Sequence, residues 1–110
     1  MPEIDLPQPL IDAQRTVDRA WAEVEDHRKS VNARRRAAAA TEGRQADDAR
    51  PWTGPALDPW TQADDDEHER RMATARAAAE ARQAALTAAG LGSGYTIVQA
   101  LHLAARPATV

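Results

Sequence analysis

Residues 10 to 38 read LIDAQRTVDRAWAEVEDHRKSVNARRRAA, with Leu10, Val17, Val24, Val31 and Ala38 exactly one heptad apart and Ala13 and Ala20 at the intermediate positions. Apolar groups at that period line one narrow stripe of a helix and call for a second helix along it. A shorter stripe follows downstream: Met72, Ala79 and Leu86, with Ala75 and Ala89 between. Two such stripes in one chain predict an all-α fold, a long antiparallel helical hairpin of coiled-coil character.

Punctuation in the sequence sets the expected boundaries. Residues 1–8 are an N-terminal extension, three prolines end by Pro9, and after Pro9 no Pro or Gly interrupts the pattern until Gly43. The first helix is therefore expected over residues 9–41. Residues 42–60 turn to Gly, Pro, Asp and Arg and form a connector containing two Trp residues. The second helix is expected over 61–89. Thr61 is its N-cap, Asp64 completes a capping box, and Asp65, Asp66 and Glu67 sit where the helix dipole favours negative charge. Gly90 and Leu91 supply a Schellman ending. A short third helix is expected over 94–106, capped by Ser93, with Ile97, Val98, Leu101, Ala104 and Ala105 on its apolar face; Pro107 stops it. Tyr95 to Val98 also have strand propensity, but no second strand is available for pairing. Together these segments read as one helical domain.

Composition narrows the functional classes. A chain of 110 residues has little interior in which to enclose a substrate. Leu, Ile and Val number 15, Phe is absent, and much of the apolar content is Ala, which favours helix but buries little area. Helices are thus expected to form more readily than they pack, and self-association is expected to complete the burial. With 14 basic and 17 acidic residues the net charge is -3, which gives no global attraction to nucleic acid or an anionic membrane. The absence of Cys excludes disulfides and thiolate metal sites. The sequence shows no secretory leader and no apolar run of membrane-spanning length, so a cytoplasmic location is expected.

The leading functional expectation is a noncatalytic helical adaptor that forms a homodimer or binds a helical protein. Val17, Val24 and Val31 of the seam, with Trp52 and Trp60 of the connector, are its candidate interaction residues. Trp52 and Trp60 lie in an internal echo, Pro51-Trp52-Thr53 and Pro59-Trp60-Thr61. Both are expected to fold back on the hairpin, Trp60 as a staple ahead of Thr61, and Trp52 is the better placed of the two to serve a partner.

A basic cluster, Arg28, Lys29, Arg34, Arg35 and Arg36, offers the alternative of a small nucleic-acid-associated regulator that contacts phosphates. Its structural reading is neutralisation by Asp64 to Glu69, which an antiparallel hairpin brings alongside, together with interaction with the helix C-terminus. Histidines 27, 68 and 102 have no i, i+4 spacing among them, and His27 and His68 are expected at different levels of the hairpin; no metal site, cofactor, small-molecule substrate or catalytic group is expected.

Trp52-Thr53-Gly54 resembles the Trp-x-Gly turn of the WXG100 family. That resemblance implies a small secreted helical hairpin that dimerises and leaves the cell through a type VII system. The sequence departs from the family pattern in two places: Pro55 and Pro59 separate the Gly from the second helix, and Tyr95 to Gln99 ends in an amide where the family's Tyr-x-x-x-Asp/Glu signal has an acid.

Overall fold

The computed structural model describes residues 5–46, 52, 54–92 and 94–107. The fold is all-α, with α1 at Gln8–Thr41, α2 at Gln62–Ala88 and α3 at Tyr95–Ala105. The two long helices pack against each other, and the short α3 packs on α1. Tyr95 to Val98 are helical.

Local chemistry explains the helix ends. Proline-fixed backbone opens α1, with the Pro7 carbonyl accepting from the Leu10 and Ile11 amides at 3.0 and 3.2 Å. At the start of α2, Thr61 Oγ1 accepts from the Asp64 amide at 3.1 Å while Asp64 Oδ2 accepts from the Thr61 amide at 2.9 Å. This reciprocal box satisfies two amides that a helix start leaves without partners. The far end of α2 closes with Gly90 at φ 70°. There the Leu91 amide donates to the Leu86 carbonyl at 3.2 Å and the Gly90 amide to Thr87 at 3.0 Å, the Schellman pair. The same motif ends α1, where Gly43 and Arg44 donate to Ala40 and Ala39. Gly94 occupies the N-cap position of α3. Ser93, the expected cap, lies outside the described residues.

The heptad positions Leu10, Val17, Val24 and Val31 are all buried, none more than 8 % exposed. Past Val31 the buried residue is Ala39 in place of Ala38. A straight helix drifts about 20° per heptad from a seven-residue repeat, so the inward position moves along by one residue over four heptads. Two apolar clusters result. Leu10, Leu86 and Leu101 join all three helices, with Leu6, Ile11, Leu91 and Ile97 around them. Ala20, Val24 and Ala75 meet at mid-length, flanked by Met72 and Ala78. Burying a Leu is worth about 1.5–3 kcal/mol, whereas an Ala contributes far less, so the three-helix end is the strongly held one. The molecule is elongated, 59 × 30 × 29 Å.

Candidate functional site

Polar and aromatic groups collect where the connector meets the hairpin. The Asp64 side chain is buried between the helices, and Arg34 of α1 donates to its Oδ2. This guanidinium, followed by the Thr61 amide, holds the Asp64 carboxyl at about 2, well below the ordinary carboxylate range. His27 Nε2 lies 3.0 Å from the Asp64 carbonyl oxygen; a carbonyl only accepts, so Nε2 carries the proton. Trp60 stands edge-on to both His27 and His68, with ring centroids 5.7 and 5.5 Å away. The indole Nε1 donates to Asn32 Oδ1 at 3.3 Å, and Arg35 donates to the same oxygen at 2.9 Å. Trp60 therefore folds back, as expected, and pins the connector to α1.

Trp52 does not fold back. It is 79 % exposed, so the two members of the Pro-Trp-Thr echo have opposite fates. Trp60 has a polar acceptor and two imidazoles within reach, and these compensate its burial. Pro51 and Thr53, the flanking members of the first copy, lie outside the described residues.

The expectation that His27 and His68 occupy different levels is corrected. Their rings stack at 6.5 Å with 24° between planes. The register that aligns the stripes also sets Gln14 opposite Arg82 and Arg34 opposite Asp64, and it carries these two histidines to one level. The nearly parallel rings do not converge on a common point, and no group of three or more side chains suited to a metal ion occurs among the described residues.

Among the described residues, the charge complementarity expected of the hairpin contracts to one interhelical ion pair, Arg34 with Asp64. Arg28 pairs with Glu25 in its own helix, and Arg35 donates to the Asp58 carbonyl and Asn32. Lys29 and Arg36 make no ion pair among the described residues. In the acidic run, Glu67 is taken by Arg70 and Arg71, which hold its carboxyl at about 2. The last turn of α1 contains no basic residue, so the expected interaction of Arg34 to Arg36 with the helix C-terminus is also corrected.

Val17, Val24 and Val31 are buried within the chain's own fold, Val24 against Ala75 of α2. The seam is therefore buried without a second hairpin laid along it. Among the described residues, four large apolar side chains are exposed: Trp52, Tyr95, Leu103 at 58 % and Trp21 at 41 %.

Sequence reasoning did not find the buried Gln14. It accepts from Arg82 Nη1 at 3.0 Å and donates to Asp18 at 2.8 Å, forming a polar layer between the two apolar clusters. It also missed Arg15, which reaches the Ala104 and Ala105 carbonyls and so satisfies the C-terminus of α3. An open cleft lies beside this contact, lined by Arg15, Asp18, Arg19, Ala105 and Pro107. No helix among the described residues is long and apolar enough to cross a membrane.

Comparison of the chain with protein-family models, curated proteins and solved structures found no match. In the connector, Gly54 has φ 73°, and α2 begins at Gln62 after Pro55 and Pro59. The second helix thus starts well beyond the Trp-x-Gly turn, where the WXG100 pattern has it follow directly.

Proposed function

We propose that this protein is a noncatalytic helical interaction protein of the cytoplasm that self-associates as a coiled-coil-like homodimer and offers Trp52 to a protein partner. The observation that carries this reading is the exposure of Trp21 and Trp52 in a chain with so few large apolar residues. Trp is the side chain most often found as an interface anchor, and leaving two of three in water is costly for a monomer.

Surface area supports the self-association. The chain exposes 7882 Å², against about 5,900 Å² for a compact monomer of its mass. Its radius of gyration is 20.0 Å, against about 13 Å for a compact domain of this length. The nucleic-acid alternative draws less support, because Arg28, Arg34 and Arg35 already have protein partners.

Size-exclusion chromatography with light scattering tests the reading. A dimer at micromolar concentration supports it; a monomer at every concentration contradicts it.

A further inference from the structure

Two elements rest on α1, one toward each end. Near its start, Leu10 and Ile11 pack with Ile97 and Leu101, and Arg15 holds the end of α3. Near its other end, Asn32 and Arg35 hold Trp60 and Asp58 of the connector. Between them α1 presents an uncovered stretch that includes Asp18, Trp21 and Lys29, all exposed. At roughly 100° per residue, Trp21 stands about 40° round the helix from the buried Val17, and Asp18 and Lys29 share a direction to within about 20°.

We propose that a second copy of this chain docks antiparallel on this stretch, its two-fold axis passing within one helical turn of Trp21. The inference rests on the self-association proposed above and assigns its surface. Three features favour a second copy as the occupant. The excess exposed area, about 2,000 Å² per chain, is more than the roughly 800 Å² that each partner of a standard interface buries. Trp21 lies near the middle of α1, so a two-fold axis there covers it in both copies at once. The flank is also self-complementary in charge. Antiparallel pairing sets Asp18 of one copy toward Lys29 of the other, and the symmetry makes that contact twice. Lys29 makes no ion pair within its own chain among the described residues, whereas Arg28 beside it is held by Glu25.

The test measures dimer dissociation by light scattering and sedimentation for the full chain and for Trp21→Ala, Asp18→Lys, Lys29→Asp and the Asp18→Lys/Lys29→Asp double variant. Helicity is monitored throughout by circular dichroism. Asp18 also accepts from Gln14, so Lys29→Asp carries the charge test without touching the hairpin. The expected result is a dissociation constant raised about tenfold or more by Trp21→Ala and by each charge reversal, with the double variant restored toward wild type. A dimer indifferent to all four variants overturns this surface while leaving self-association intact. A wild-type chain that stays monomeric overturns both.

Discussion

Arg82 Nη1 donates to Gln14 Oε1 at 3.0 Å across the hairpin, and Gln14 is buried as completely as the leucines beside it. This contact places a polar layer between the Leu10–Leu86–Leu101 cluster and the Ala20–Val24–Ala75 cluster. A slip of one helical turn would leave Gln14 buried without Arg82, so the pair fixes the register that the alanines alone define weakly. Replacing Gln14 with Leu should retain helicity while broadening the thermal transition. Loss of the His27–His68 ring proximity, read from nuclear Overhauser contacts, would show the register loosening; unchanged contacts would show that it is set elsewhere.

The leucine cluster is the strongest hold on the fold. Leu86→Ala should cost about 2–5 kcal/mol, a large share of what a chain of this size has to lose. Val24→Asp should be more severe because it buries a charge beside Ala75. Urea titration followed by circular dichroism checks both.

The cap at Thr61 is separable from packing. Thr61→Ala removes the acceptor for the Asp64 amide and should cost about 1 kcal/mol; Thr61→Ser should restore most of it. Matched urea midpoints for wild type and Thr61→Ala would contradict the role given to the box.

Acid should loosen the connector end. The folded-state value of Asp64, about 2, lies below its ordinary one, so the ionised carboxylate contributes stability above about pH 4 that is lost as the pH falls through about 2. Glu67 adds in the same direction and window, since Arg70 and Arg71 hold it at about 2. Asp64→Asn should flatten the pH dependence of unfolding between about pH 4 and 2 relative to wild type. An identical slope in the two proteins would remove Asp64 from the account.

The three tryptophans should differ in solution. Acrylamide should quench Trp52 most, Trp21 next and Trp60 least, following their exposure. Single-Trp variants measure this directly, and a well-shielded Trp52 in the isolated protein would contradict its assignment as a free anchor.

The features legible in the sequence are those written in local patterns. Leu10, Val17, Val24 and Val31 mark a face by their spacing; Thr61 with Asp64 and Gly90 with Leu91 mark helix ends by chemistry that acts within four residues. What escaped depends on register between distant segments. His27 and His68 look unrelated along the chain, and only the axial offset between α1 and α2 brings their rings together. Gln14 reads as polar surface until Arg82 is placed opposite it. The different fates of Trp52 and Trp60 turn on whether an acceptor such as Asn32 lies within reach, which their identical flanking residues do not encode.

We propose that this hairpin completes its burial with another copy of itself. Thermal unfolding by circular dichroism across a hundredfold range of protein concentration tests it most directly. A self-associating hairpin gives a cooperative helical transition whose midpoint rises with concentration, because mass action favours the folded dimer. A midpoint that stays fixed while the protein sediments as a monomer would contradict it.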